Sequence, residues 1–129
     1  MKKTIEVVAA VIIKDNKIFC AQRADKGELG KKWEFPGGKL ELNETNEQAL
    51  IRELQEELDI NVNVDEYIMT VNHEYNTFNL ILHAYKCTLK SGKIILKEHL
   101  DSKWLTLYEL NTLDWAAADI PVVNILRGE

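Results

Sequence analysis

The order of hydrophobic and polar residues along the chain predicts a β-sheet made of short strands. Runs rich in Val, Ile, Phe and Tyr are separated by polar turns, as expected for strands that bury one face. Residues 14–17 are a predicted turn, residues 24–32 a predicted polar loop, and Pro36-Gly37-Gly38 is expected to turn tightly and end the third strand. The predicted strands are residues 4–13, 18–23, 33–35, 60–64, 67–75, 78–89, 93–96 and 104–107.

A helix is predicted over residues 46–58. Thr45 is its expected N-cap, and Gln48 completes a capping-box pattern with that threonine. Hydrophobic residues recur at helical spacing in this segment, so one side of the helix is expected to be buried. The buried stripe is predicted to comprise Leu50, Ile51, Leu54 and Leu58.

A second helix is expected to begin near residues 119–121, because Pro121 is tolerated in a first helical turn. Sheets and amphipathic helices bury their apolar sides against one another. The predicted elements therefore indicate an α+β fold, an α/β/α sandwich in which helices cover both faces of a mixed β-sheet.

Length and composition favour a single domain over residues 1–129, with 46 % hydrophobic and 29 % charged residues. The net charge of −5 argues against a nucleic-acid polymer as the partner. No apolar run approaches the roughly 20 residues of a membrane helix, and no signal peptide precedes the first strand, so no membrane partner and a cytoplasmic location are expected. Cys20 and Cys87 lack metal-ligand spacing and are expected to be reduced core residues.

Three carboxylates lie within one turn of the first predicted helix. At about 100° per residue, Glu57 lies about 40° to one side of Glu53 and Glu56 about 60° to the other. Packing like charges in this way costs stability unless a cation is bound, and Mg²⁺ prefers such oxygen ligands. A solvated acidic helix face is the alternative interpretation. The nearby Glu44 and Arg52 favour the metal site, because they add a further carboxylate and a group that can orient Glu53 or a phosphate.

The spacing of these residues closely resembles the Nudix box, G-x5-E-x7-R-E-U-x-E-E-x-G-U, in which U is an aliphatic residue. The matching positions are Gly38, Glu44 and the run Arg52-Glu53-Leu54-Gln55-Glu56-Glu57-Leu58-Asp59-Ile60. Asp59 is the one departure, since the box has Gly there. Asp tolerates the left-handed conformation expected at that helix end, so a stability cost of about 1 kcal/mol and no loss of activity are expected.

The chain is similar over nearly its whole length to the MutT branch of this family, which includes oxidised-dGTP sanitisers and CTP pyrophosphohydrolases. The resemblance implies hydrolysis of a (deoxy)nucleoside triphosphate to the monophosphate and pyrophosphate, with Mg²⁺ as cofactor and Mn²⁺ as a possible substitute. It implies a small-molecule nucleotide as the partner and a monomer or homodimer. The metal ligands implied by the matching positions are Gly38, Glu53, Glu56, Glu57 and Glu98.

The resemblance also implies catalytic and substrate-binding roles. Glu53 is the expected general base, with Glu98 as the alternative, and Arg52 is expected to assist catalysis beside Glu53. Without the resemblance, Glu98 would be interpreted as an ordinary surface residue. Arg23 and Lys39 are the expected phosphate partners, with a solvated cation at a strand end as the alternative for Arg23.

Asp119 and Phe35 are expected to bind the base, with a helix N-cap and a core residue as their respective alternatives. The oxidised-dGTP sanitisers typically have Asn at the position of Asp119, whereas CTP pyrophosphohydrolases resemble this chain in having Asp. An ionised Asp can only accept hydrogen bonds, which suits the N4 amino group of cytosine and repels O6 of 8-oxoguanine. A buried, protonated Asp could pair with 8-oxoguanine. Cytosine or modified cytosine (5-methyl-dCTP) is therefore the favoured base, and 8-oxo-dGTP is the alternative.

Three other functions compete with this interpretation. Nucleoside diphosphate sugars and capped RNA ends are disfavoured as substrates by the acidity and short length of the chain. A non-catalytic nucleotide-binding module is disfavoured because Glu53, Glu56 and Glu57 are all retained. Two biological roles stay open at this point, mutation avoidance and housekeeping of the nucleotide pool.

Overall fold

The computed structural model describes residues 2–128, which form a mixed β-sheet with helices. The strands are β1 (Lys3–Lys14), β2 (Lys17–Gln22), β3 (Trp33–Glu34), β4 (Gly37–Lys39), β5 (Asn61–Glu74), β6 (Phe78–Ser91) and β7 (Asp101–Leu105). β1 is central: it pairs in parallel with β6 and antiparallel with β2 and β4. The strand order is β3-β2-β1-β6-β5, and β7 pairs with β2.

Helices cover both faces of this sheet, as predicted. α1 (Asn46–Leu58) packs on the face formed by Val8, Ala10 and Ile12 of β1. α2 (Ile120–Leu126) packs on the opposite face, where Ala9 and Val11 point. Successive residues of a strand face opposite sides, so β1 alone contributes to both cores. Two short 3-10 helices, Leu107–Thr112 and Ala117–Asp119, precede α2.

The ends of α1 follow from local sequence. Thr45 Oγ1 accepts the backbone N–H of Gln48 at 3.1 Å, and Gln48 Oε1 accepts the N–H of Thr45 at 3.0 Å, which confirms the capping box. At the other end, Asp59 adopts the left-handed conformation with φ 59° and ψ 34°, as expected. The prediction that Ile51 belongs to the buried stripe is wrong. Ile51 is 43 % exposed, because the sheet covers the side of α1 that carries Ala49.

The glycines that follow Pro36 form a strand where a tight turn was predicted. β4 pairs antiparallel with β1, with Gly38 opposite Val8. Neither Gly37 nor Gly38 has a positive φ, so the structure requires glycine at these positions for its lack of a side chain and not for its backbone freedom. A Cβ on Gly37 would overlap the carbonyl oxygen of Val8. The pair of glycines therefore allows β4 to approach β1 and α1 closely.

The prediction of a strand at residues 93–96 is wrong, because this apolar segment packs against the end of α1. The backbone N–H of Ile95 donates to the carbonyl of Leu58 at 3.0 Å. This N–H is therefore not available for a hydrogen bond to a neighbouring strand. β7 begins at Asp101 and ends at Leu105, earlier than predicted, because its register is set by pairing with β2.

The two strands predicted over residues 60–64 and 67–75 are one continuous strand, β5, which passes through irregular pairing with β6. Cys20 and Cys87 are buried and unbonded to each other, which confirms the prediction of reduced core residues. Within residues 2–128, no helix combines the length and the apolar character that a membrane span requires.

Candidate active site

A cavity of about 550 Å³ opens beside β1, and most of the predicted site residues line it. Arg52 and Glu56 are the predicted residues that lie outside the lining. The predicted residues on the lining are Gly38, Glu53, Glu57, Glu98, Arg23, Lys39, Phe35 and Asp119. The structure thus brings residues from five separate segments of the chain to one concave surface.

Gly38 lies directly against the carboxylate of Glu53. A Cβ added to Gly38 would overlap the carboxylate carbon and oxygens of that side chain. Because Gly38 is fixed by its pairing with Val8, the close approach positions α1 relative to β4. The Nudix-like spacing between Gly38 and Glu53 therefore has a direct structural cause.

Arg52 lies outside the cavity lining and donates to Glu53, which does line the cavity. Its Nε and Nη2 donate to Glu44 at 2.6 and 2.9 Å, and Nη2 also donates to the carbonyl of Lys39 at 3.0 Å. Its Nη1 donates to Glu53 Oε1 at 2.9 Å and to Glu56 at 3.3 Å. A bidentate Arg–carboxylate pair is geometrically specific, so Glu44 fixes the guanidinium and the guanidinium fixes Glu53. Arg52 is thus placed to orient Glu53.

The carboxylates of Glu53 and Glu57 are the acidic groups of α1 that face the cavity. Burial is the main cause that raises the pKa of both side chains, to about 7 for Glu57. Within residues 2–128 no group of three or more His, Cys, Asp or Glu side chains is arranged to hold a metal ion. Two partly buried carboxylates of raised pKa nevertheless match the oxygen chemistry of a hard divalent cation, whose charge would favour their ionised forms.

Glu56, the remaining predicted ligand on α1, is turned towards Arg52. Its side chain is 56 % exposed, and its carboxylate accepts from Arg52 at 3.3 Å. A role for Glu56 as a metal ligand stays a prediction.

Glu34 and His99 belong to the cavity although neither was predicted as a site residue. Glu34 Oε1 accepts from Arg23 Nη1 at 2.8 Å, and Glu34 Oε2 lies 2.8 Å from His99 Nε2. Two further buried nitrogen atoms at this place, Arg23 Nε and His99 Nδ1, have no hydrogen-bond partner among the described residues. The contact between Glu34 and His99 joins positions 65 residues apart, so no local pattern could have indicated it.

Asp119 is a buried carboxylic group at the apolar part of the cavity. It is 4 % exposed, and its Oδ1 accepts the backbone N–H of Phe35 at 3.2 Å. Asp119 occupies the N-cap position of α2, as the alternative interpretation expects, but its side chain makes no cap hydrogen bond to that helix. Burial raises the pKa of Asp119 well above its usual value, and the nearby Glu34 carboxylate raises it further, while the Phe35 N–H and Arg23 act in the opposite direction.

Aromatic residues form the walls around Asp119. Phe35 is buried against Trp115, with ring centroids 4.7 Å apart, and it also lines the cavity. The hydroxyl of Tyr75 accepts the backbone N–H of Ala118 at 2.9 Å, which fixes the segment that carries Asp119. Phe35 is therefore both a core residue and part of the cavity wall, so the two alternatives for it are compatible.

We predict that Asp119→Asn stabilises the protein at neutral and alkaline pH. An unfolded Asp titrates at about pH 3.9, whereas the folded pKa of Asp119 is higher. Between these values the folded state binds the additional proton, so the wild type loses stability as pH rises through that window. Asn keeps an acceptor for the Phe35 N–H and carries no proton equilibrium. Urea unfolding from pH 4 to 9 should show an advantage of the variant that grows with pH and then levels off.

Asp114→Asn is the matched control for this prediction. Asp114 is 73 % exposed, so its ionised form loses little hydration in the folded protein. Its replacement should give a difference from the wild type without that rising profile. A difference for Asp119→Asn that is independent of pH would show that the folded protein does not raise the pKa of Asp119.

Comparison with known proteins gives consistent results. A model of the NUDIX domain family matches residues 7–124. The chain is 40 % identical over 122 residues to a CTP pyrophosphohydrolase of Escherichia coli (strain K12), covering 95 % of this chain and 90 % of that protein. It is 48 % identical over 88 residues to an 8-oxo-dGTP diphosphatase of Proteus vulgaris, covering 67 % and 79 %. The solution structure of the mismatch repair protein MutT, family Nudix hydrolase, from methicillin-resistant Staphylococcus aureus 252 shares 49 % identity and a TM-score of 0.80, covering 99 % and 98 %.

Proposed function

Because this chain belongs to the NUDIX family, we propose that it is a metal-dependent pyrophosphohydrolase of (deoxy)nucleoside triphosphates with cytosine as the favoured base. Water attacks a phosphorus atom of the triphosphate, a phosphoanhydride bond breaks, and the monophosphate and pyrophosphate leave. Mg²⁺ is the proposed cofactor, with Mn²⁺ as a substitute. The relatives named for CTP and for 8-oxo-dGTP both support this reaction class. Because their names differ in the base, the preferred base is inferred from the residues of the site.

One observation carries the proposal: a single cavity joins acidic, cationic and aromatic groups. Glu53 and Glu57 supply oxygen ligands, Arg23 and Lys39 supply positive charge, and Phe35 supplies an aromatic face. A nucleoside triphosphate presents matching chemistry, with an anionic chain that binds cations and a planar base that packs against rings. A surface acidic patch without the cationic and aromatic parts would not favour this substrate.

The residues proposed to hold the cation are Glu53, Glu56, Glu57 and Glu98, together with the carbonyl of Gly38. A divalent cation bound by them would neutralise the charge that builds up on the phosphate oxygens during attack by water. Glu53 is the proposed general base, because its carboxylate lies on the cavity and is oriented by Arg52 at 2.9 Å. Glu98 is the alternative base, since it lines the same cavity.

Arg23 and Lys39 are the proposed phosphate partners. The Arg23 side chain is 42 % exposed and lines the cavity while Glu34 holds Nη1, so the remaining N–H groups of the guanidinium can donate to a phosphate. Lys39 follows the glycine pair of β4 and lies on the same surface. The interpretation of Arg23 as a purely solvated cation is less favoured, because Glu34 directs it towards the cavity lining.

Asp119 supports cytosine as the favoured base. A neutral carboxylic group can accept from the N4 amino group and donate to N3, and an ionised one can still accept from N4. Both protonation states of Asp119 are therefore compatible with cytosine. Guanine presents two acceptors, N7 and O6, so a carboxylic group can satisfy only one of them.

The alternative substrate, 8-oxo-dGTP, is favoured by one specific observation, the burial that raises the pKa of Asp119. A neutral Asp119 could accept from N7–H of 8-oxoguanine and donate to O6, whereas an ionised one would be repelled by O6. Activity on 8-oxo-dGTP should then decline as pH rises through the folded pKa of Asp119. Activity on cytosine nucleotides should be less affected by that deprotonation.

We predict that the purified protein with Mg²⁺ releases pyrophosphate fastest from a cytosine nucleotide. The panel is CTP, dCTP, 5-methyl-dCTP, 8-oxo-dGTP and dGTP, compared by kcat/KM. Asp119→Asn should shift the preference towards 8-oxo-dGTP by about tenfold or more, since the amide can both accept and donate at any pH.

Two outcomes would contradict the proposal at different levels. A preference of the wild type for 8-oxo-dGTP would make sanitation of the nucleotide pool the better assignment. Absence of pyrophosphate release from every nucleotide would remove the enzymatic function and favour a nucleotide-binding module.

A further inference from the structure

The segment that follows β6 closes over the C-terminal end of α1. The last carbonyl groups of an α-helix have no partner within the helix. Here the N–H of Ile95 donates to the carbonyl of Leu58 at 3.0 Å. Gly92 lies so close to this end that a Cβ on it would come within 2.6 Å of the carbonyl oxygen of Asp59. The segment therefore packs tightly where α1 ends.

Lys97 completes this contact. Its Nζ donates to the carbonyl of Glu56 at 3.0 Å and to Asp59 Oδ1 at 2.9 Å. The last turn of α1 contains no basic residue, so the cation that favours the carbonyl end of a helix comes from Lys97. Asp59, the residue that replaces the Gly of the Nudix box, supplies the second acceptor. A glycine at that position could not form this ion pair.

The other side of Glu98 is also anchored. His99 Nε2 lies 2.8 Å from Glu34 Oε2, and the N–H of Leu100 donates to the carbonyl of Gln22 at 2.9 Å. Glu98 thus stands between Lys97, which is attached to α1, and His99, which is attached to β3. Glu98 lies on the cavity lining together with Glu53 and Glu57.

We propose that Lys97 is a positioning residue that holds Glu98 at the cavity by binding Asp59 and the Glu56 carbonyl at the end of α1. This inference rests on the proposed function, because that proposal makes Glu98 a metal ligand and the alternative general base. Asp59 then does more than tolerate a left-handed conformation: its carboxylate ties the loop to the carboxylate-bearing helix.

The Lys97–Asp59 pair should act locally and have little effect on global stability. The two side chains are 44 % and 43 % exposed, and exposed ion pairs contribute little to the free energy of unfolding. The effect of a local anchor on the geometry of a reacting group is larger, because small displacements of such groups lower rates strongly. A change in rate without a change in stability is therefore expected.

The test is a double-mutant cycle with Lys97→Met and Glu98→Gln, measured by pyrophosphate release. Lys97→Met should lower kcat on the order of tenfold with little change in KM. In the Glu98→Gln background it should lower kcat no further, because the residue being positioned is already inactive. Lys97→Arg should retain most of the activity, and Asp59→Asn should lose part of it. Full activity of Lys97→Met, or an equal loss in both backgrounds, would overturn the proposal.

A second readout does not depend on activity. Amide hydrogen exchange of the metal-free protein should be faster for Ile95 and Leu100 in Lys97→Met than in the wild type, because both amides belong to the anchored segment. Unchanged exchange at both amides would overturn the anchoring even if the wild type released no pyrophosphate. Lys86→Met is the matched control, since it removes a 41 % exposed lysine from an ion pair with Glu66 on other strands.

Discussion

Glu53→Gln is expected to lower kcat for pyrophosphate release at least about a hundredfold while the protein stays folded. Gln has nearly the same shape and can still accept from Arg52 Nη1, so the packing of α1 should be preserved. It cannot take a proton from water and is a weaker ligand for a divalent cation. The measurement is steady-state kinetics of the wild type and the variant with the best nucleotide, together with thermal unfolding of both.

Glu47→Gln is the control for that result. Glu47 lies in the first turn of the same helix and is exposed to solvent, so its replacement should leave kcat unchanged. Full activity of Glu53→Gln would show that Glu53 is not the base. In that case Glu98→Gln should produce the large loss, because Glu98 is the alternative base on the cavity lining.

Alanine substitutions at the two neighbouring glycines of β4 should have opposite consequences. A Cβ on Gly37 would overlap the backbone oxygen of Val8, which cannot move without breaking the pairing of β4 with β1. Gly37→Ala should therefore lower the free energy of unfolding by about 3 kcal/mol. A Cβ on Gly38 would overlap the end of the Glu53 side chain, which can rotate away at the cost of its hydrogen bond from Arg52. Gly38→Ala should cost little stability and reduce kcat on the order of a hundredfold.

The two variants serve as controls for each other, since they differ by one position and introduce the same methyl group. Urea unfolding measures the first effect and steady-state kinetics the second. A large loss of stability in Gly38→Ala would mean that Glu53 is held too rigidly to yield. Wild-type kinetics in Gly38→Ala would show that the position of the Glu53 carboxylate is unimportant for the reaction.

The predictable part of this fold is the part determined by residues near one another in sequence. The capping box of Thr45 and Gln48 and the left-handed Asp59 each depend on a few adjacent residues, and the structure has both. Residues 93–96 were predicted as a strand because their apolar character is compatible with one. Their actual partner, the carbonyl end of α1, lies in a distant segment, so the local sequence pattern could not indicate this contact.

The same division applies to the candidate site. The Nudix-box spacing allowed Gly38 and Glu53 to be predicted as site residues, because that spacing reflects a contact between β4 and α1. The structure has that contact. The spacing could not indicate Glu34 or His99, whose contact depends on how β3 meets the segment before β7. Nor could the sequence indicate that Arg52 pairs with Glu44 outside the cavity lining, since a helical wheel gives no partner for a side chain.

The parallel pairing of β1 with β6 has a consequence for biosynthesis. Lys3 pairs with Phe78, so β1 cannot acquire this neighbour until the ribosome has also made the segments from β2 to β5. α1 with its carboxylates is translated well before β6 and before Asp119. A nascent chain can therefore carry the acidic helix before it has Asp119, the residue proposed to select the base. Long-range closure of this kind also slows folding, so the complete cavity can form only after β6, Glu98 and Asp119 have been made.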